Sequence, residues 1–169
     1  MDTRIATSLH TGLHIAAVGL FAWATGLPAL FPSLGPSAFV LAMFPTSEAS
    51  NPRRVIGSHA LGVAAGLLAY YLVAPGIIVT EQIAPLSLPG LRLTVSSVLA
   101  IVLTVSGMLH FDIRHPPACA TTLIVALGLL PRLSDGVLMI VAVVGLIALQ
   151  RAILMVITAS LYRRDDPCR

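Results

Sequence analysis

Two proline-bearing stretches hold most of the chemistry open to this chain: Arg114-His115-Pro116-Pro117-Ala118-Cys119 and its partial echo Leu34-Gly35-Pro36-Ser37-Ala38. Proline costs little just inside a helix, because its missing N–H would have been unpaired there anyway. Both stretches therefore read as starts of short helices. A helix start leaves N–H groups without intrahelical partners and carries a partial positive charge. Two such starts facing each other inside a bilayer are a way to hold an anion. On this reading the amides near Ala118 and Cys119 face the anion, with His115 beside them at the mouth. Thr121 and Thr122 offer hydroxyl donors from the first turns. Gly35, Pro36 and Ser37 form the partner site, glycine allowing close backbone approach and serine capping or donating. The plainer alternative is that the prolines only end one helix and start the next, while the threonines bond their own helix carbonyls.

The arginines and histidines add to this pattern. Arg53 and Arg54 open an apolar run beside Asn51-Pro52, and Arg114 has Asp112 nearby. Each reads either as a topology and headgroup residue or as a planar fork suited to an oxyanion. Arg151 lies well inside the last apolar stretch and must face the bundle, pair or snorkel. His59 and His110 suit a proton-linked role, since imidazole titrates near neutral pH. His10 and His14 stand one helical turn apart, a spacing that two ligands to one metal would use. The carboxylates a metal would want, Glu48, Glu81 and Asp112, fall in loops. No metal ligands are assigned and no cofactor is expected. Phosphate loops, nucleophile elbows and His-Glu-x-x-His are missing from the sequence, which argues against an enzyme.

Composition limits where these residues can sit. The chain is 57% hydrophobic and 10% charged, with a mean hydropathy of +0.94. No ordinary soluble domain matches that. Period-2 alternation broken by frequent turn residues is absent, so a membrane barrel is not expected. The net charge of +3 comes from arginine, since lysine is absent, and much of it lies near segment ends, as topology determinants do, so it gives no argument for nucleic acid. Cys119 and Cys168 form no metal or redox spacing, and a structural disulfide is not expected. The N-terminal run faintly resembles a secretory signal, but it is long and cleavage is not expected.

Prolines and glycines divide the runs into spans at about 10–31, 55–73, 93–111 and 135–161, with short elements at about 35–45 and 116–130. A helix needs about 20 apolar residues to cross the hydrocarbon core. The fold class is therefore an all-α polytopic membrane bundle: four long transmembrane helices plus two short, re-entrant or half, helices in one domain over 1–169. The order long, short, long occurs twice. Together with the match of Gly35-Pro36-Ser37-Ala38 to His115-Pro116-Pro117-Ala118, it suggests an internal repeat, about 10–73 and 93–161. If the short elements re-enter, the arginines other than Arg151 divide five against four between the two sides. If each completes a crossing, they divide seven against two, which obeys the positive-inside tendency better. Either way the termini are expected in the cytoplasm.

Three blocks in order resemble the HPP family of small integral membrane proteins, named for the His-Pro-Pro motif, across roughly residues 12–160. They are Gly35-Pro36-Ser37-Ala38, Asn51-Pro52-Arg53-Arg54-Val55-Ile56-Gly57-Ser58-His59, and His115-Pro116-Pro117-Ala118-Cys119-Ala120-Thr121. The second maps Pro52, Arg53, Val55, Gly57 and His59 onto the family's Pro-Arg-x-Val-x-Gly-x-His stretch. The resemblance implies four membrane spans and, through plastid and cyanobacterial members linked to nitrite transport, an anion substrate. Cys119 stands where a small glycine or alanine is expected, and Ser58 where glycine is usual. The long targeting extension of plastid members is missing, so a prokaryotic inner membrane is expected. The leading expectation is a small anion transporter or channel for nitrite or a similar monovalent oxyanion. Its partners are the lipid bilayer, a small inorganic anion and further copies of itself, with Gly57, Gly62 and Gly66 for close helix contact. The alternatives are a histidine-based divalent metal transporter, which needs His10, His14, His59 and His110 to converge, and a structural membrane subunit without a site of its own.

Overall fold

A computed structural model describes residues 3–164. Cys168 and Arg169 lie outside the described residues, as do the side chains of Arg163 and Arg164. Among the described residues there are six α-helices and no strand: α1 Thr3–Thr25, α2 Leu30–Met43, α3 Pro52–Val73, α4 Leu88–His110, α5 Ala118–Ala126 and α6 Leu133–Arg164, with a 3-10 turn at Glu48–Ser50. Parts of α1, α3, α4 and α6 are long and apolar enough to cross a membrane. The order long, short, long occurs twice, as expected.

Local chemistry sets most boundaries. Asn51 caps α3, its Oδ1 accepting the Arg53 N–H at 3.0 Å, and Pro52 takes the first helical position. Ser87 caps α4 through the Gly90 N–H at 3.3 Å, with Pro89 in the first turn. With no water in hydrocarbon, the last carbonyls of each helix must find partners inside the protein. Arg92 Nε donates to the Val73 carbonyl at 2.6 Å, and Ser96 Oγ to Ala126 at 3.0 Å. Gln150 Nε2 donates to Leu41 at 2.8 Å, and Ser50 Oγ to Phe44 at 2.7 Å.

The helices alternate in direction. Segment 113–128 runs parallel to α3, with Ile113 against Gly57, Thr122 against Gly62, Val125 against Gly66 and Gly128 against Tyr70. At its far end Tyr71 donates to the Pro131 carbonyl at 2.7 Å. Segment 113–131 therefore travels most of the length of α3 instead of turning back. Helix α2 folds back along α1, with Gly35 against Ile15, and ends where α3 begins. Arg53, Arg54 and Arg114 sit at that end, while Arg92 and Arg132 sit at the other.

Two expectations are corrected here. Gly35-Pro36 does not start a helix: α2 begins five residues earlier at Leu30 and Pro36 lies inside it. The fully buried stripe Leu30, Leu34, Ala38 and Leu41 carries the helix through the proline. Gly57, Gly62 and Gly66 pack against Ile113, Thr122 and Val125 of the same chain instead of facing a second copy. A Cβ on Gly66 would stand 2.8 Å from Val125 Cβ and 3.0 Å from the Thr122 carbonyl. Gly66→Ala is therefore expected to cost about 1–3 kcal/mol by overpacking, at roughly 2–4 °C of thermal midpoint per kcal/mol. Gly145→Ala, with nothing within 4 Å, is expected not to lower the midpoint of the detergent-solubilised protein and to raise it slightly, since alanine is the better helix former.

Candidate functional site

The two short helices meet over a buried hydrogen-bonded network. Ser37 of α2 lies 3.0 Å from His59 Nε2 of α3 and 3.0 Å from His115 Nε2, just before α5. His59 Nδ1 lies 2.6 Å from Thr121 Oγ1 of α5, and Thr121 Oγ1 lies 2.5 Å from Ser33 Oγ of α2. His115 Nδ1 lies 2.7 Å from the Ala49 carbonyl. Ser33, Ser37, His59, His115 and Thr121 are all fully buried. The two imidazoles lie 5.5 Å apart, tilted by 49°.

These contacts assign the tautomers. A carbonyl only accepts, so His115 donates from Nδ1 to Ala49 and, as a neutral ring, accepts at Nε2. Ser37 then gives its one proton to His115 and accepts from His59 Nε2–H. His59 accepts at Nδ1 from Thr121, and Thr121 accepts from Ser33. With neutral rings all five hydrogen bonds point one way, from Ser33 through Thr121, His59 and Ser37 to His115 and Ala49. Every member is satisfied, as burial in a low-dielectric interior requires.

Helix geometry explains the convergence. Ser33 and Ser37 are one turn apart on α2, so their hydroxyls share a face. The Asn51-Pro52 cap sets the start of α3 and places His59 in its second turn. The Ser58 hydroxyl donates to the Ile113 carbonyl, tying the segment that carries His115 to α3. Gly62 and Gly66 then let α5 approach closely enough for Thr121 to reach His59. Thr122 donates to the Ala118 carbonyl of its own helix at 3.2 Å and lies 3.0 Å from Thr104 Oγ1 of α4.

The amides expected to face an anion are engaged. Ala118, Cys119 and Ala120 donate to the carbonyls of His115, Pro116 and Pro117, each at 3.0 Å, because the chain enters α5 through a tight turn. Pro116 is exposed and Pro117 half-buried, while Pro36 faces outward from α2. Arg114 is exposed and pairs with Asp112 at 3.0 Å; Arg54 bridges Glu48 at 2.7 Å and Asp112 at 3.3 Å. Arg53 lines a recess of about 250 Å³ with Asn51, Arg54, Phe111 and Asp112, at the end of the bundle from which His115 enters. A larger hollow, about 770 Å³, lies elsewhere, between α1 and the end of α2.

The histidines do not converge as a metal transporter would need. His59 pairs with His115, His10 lies 4.8 Å from His14, and His110 packs edge-on against Phe111. Arg151 faces outward, and its neighbour Gln150 turns inward to the end of α2. Sequence reasoning missed Ser33, Thr104, Gln150 and Met139, whose Sδ lies 3.4 Å from Ser33 Oγ. Of these only Ser33 carried a signal, its spacing of four from Ser37.

The family model described as "HPP, transmembrane region" matches residues 1–167, nearly the whole chain. Comparison with curated proteins and with solved structures gave no match. The network joins the motif histidine, His115, to the Gly-Pro-Ser block of α2 and the Asn-Pro-Arg block of α3, the three blocks on which the resemblance rested. The chain belongs to the HPP family of integral membrane proteins.

Proposed function

We propose that this protein moves a small monovalent oxyanion, with nitrite as the leading substrate, through the membrane along the seam between α2 and α5. The observation that carries the proposal is the Ser33–Thr121–His59–Ser37–His115 network itself. Titratable and polar groups buried within a membrane bundle mark substrate and ion paths. The Ser37 and Thr121 hydroxyls can each swing a proton from an imidazole toward an anion without moving the backbone. The exposed Arg53 guanidinium, a planar fork matched to an oxyanion, stands in the recess at the end from which His115 enters.

Affinity fits this use. A hydrogen bond to a charged group contributes about 1.5–3 kcal/mol, so two from the network give roughly 3–6 kcal/mol. A millimolar site needs about 4 kcal/mol. Permeation favours an ion held weakly enough to leave.

The alternating directions of the helices support an inverted repeat of α1–α3 and α4–α6, the architecture of many transporters. Arg4, Arg53, Arg54 and Arg114 at the end where α1 and α3 begin, against Arg92 and Arg132 at the other, support a cytoplasmic location for that end in a prokaryotic inner membrane. A bundle this thin supports self-association through its outward apolar faces.

The test is anion flux into liposomes carrying the purified protein. Nitrite uptake above that of protein-free liposomes is expected, competed by nitrate and formate. Ser37→Ala removes the hydroxyl bridging both imidazoles and is expected to cut the flux by about tenfold or more, the effect of losing roughly 1.4 kcal/mol. Arg53→Ala, at the exposed mouth, is expected to raise the half-saturating concentration more than it lowers the maximal rate. Absence of protein-dependent flux, or wild-type flux in Ser37→Ala, would overturn the reading.

A further inference from the structure

We propose that the same network takes up one proton together with the anion and passes it between His59 and His115 through Ser37, so that the substrate crosses as an anion–proton pair. The proposal rests on the anion reading above and adds the coupling ion.

The geometry provides a second complete hydrogen-bond pattern that holds one more proton. Place that proton on His59. The ring then donates from both nitrogens, Nε2–H to Ser37 and Nδ1–H to Thr121. Thr121 must now turn its own proton to Ser33, and Ser33 needs a new acceptor. Met139 Sδ of α6, fully buried, lies 3.4 Å from Ser33 Oγ and accepts it. Thioether sulfur is a weak acceptor, but here it ends the reversed chain with no donor stranded. Without Met139 the second pattern would fail at its last member.

The proton has two places to sit. From His59 Nε2 it passes to Ser37 Oγ as the Ser37 hydroxyl proton passes to His115 Nε2. One N–H bond breaks and one forms, while the serine exchanges one O–H for another. His115 then donates from Nδ1 to Ala49 and from Nε2 to Ser37, and Ser37 donates back to His59 Nε2. Every member is again satisfied. Ser37 is thus the shuttle between the two rings.

The surroundings explain why proton and anion would come together. The network is faced by Ser33 and Ser37 from α2, Thr121 from α5, Met139 from α6 and the Ala49 carbonyl. None of these is charged, and the only titratable groups in the network are His59 and His115. The nearest charged cluster, Glu48, Arg54, Asp112 and Arg114, lies in the loops at the end of the bundle and is tied up in its own ion pairs. An extra proton alone would be a buried charge without a partner, which proteins avoid. A monovalent anion at the seam removes that penalty, and by linkage the proton strengthens anion binding by the same factor.

The test is nitrogen-15 NMR of histidine-labelled protein in lipid at about pH 6, near the ordinary imidazole midpoint, with and without nitrite. Without nitrite, neutral rings are expected, His115 carrying its proton on Nδ1 and His59 on Nε2. With saturating nitrite, the imidazolium fraction of these two rings is expected to rise about tenfold or more, while His10, His14 and His110 stay unchanged. Ser37→Ala is expected to stop exchange of the proton between the rings, and Ser37→Thr, which keeps a hydroxyl, to preserve it. Nitrite flux with both rings neutral throughout would overturn the proton proposal and leave anion transport standing. Equal protonation with and without nitrite would overturn the coupling. Absence of nitrite flux in the same preparation would overturn both.

Discussion

A polar group inside a bilayer has no water to turn to, and the centre of this bundle is organised around that constraint. The protein buries two imidazoles and three hydroxyls among α2, α3, α5 and α6. It meets their needs by giving each donor one acceptor in a single unbroken direction. The Ala49 carbonyl anchors one end of that order and sets the tautomer of His115, from which the rest of the order follows while both rings are neutral. The same constraint governs the helix ends, where Arg92, Ser96, Ser50 and Gln150 each cover a carbonyl that would otherwise be stranded. Breaking the short helices inside the membrane is tolerated because these side chains complete them.

Close packing makes the polar order geometrically possible. Glycines at 62 and 66 let α5 lie directly on α3, which brings Thr121 within 2.6 Å of His59. Gly128 takes a left-handed turn, φ +78, against Ile77, where a side chain would have neither the backbone conformation nor the room. Histidine chemistry in α3 thus depends on small residues in its next two turns. The buried polar network and the helix packing share the same few positions.

Much of the architecture was legible in composition and punctuation. Long apolar runs interrupted by Gly-Pro, Asn-Pro and Pro-Pro steps identify four long helices and two short ones, and the His-Pro-Pro, Asn-Pro-Arg and Gly-Pro-Ser blocks identify the family. The boundaries were less legible. Pro36 reads as a helix start because proline tolerates that place, yet the buried stripe from Leu30 to Leu41 carries the helix through it. His115, Ser37, His59 and Thr121 were each singled out, but the reading aimed an anion at backbone amides that the turn into α5 already uses. Met139 and Gln150 were invisible because their roles depend on contacts across 106 and 109 residues, which no local spacing encodes.

A crystal structure grown in bromide, with the anion located by its anomalous scattering, tests most directly whether the Ser37 seam is the anion path. Bromide is monovalent and identifiable without ambiguity. A peak within hydrogen-bond reach of Ser37 or His115, with the Ser37 side chain turned toward it, is the predicted result. A peak confined to the Arg53 recess or to the hollow beside α1, with the five hydrogen bonds of the network intact, would show that the histidines hold the fold together and that the anion travels elsewhere.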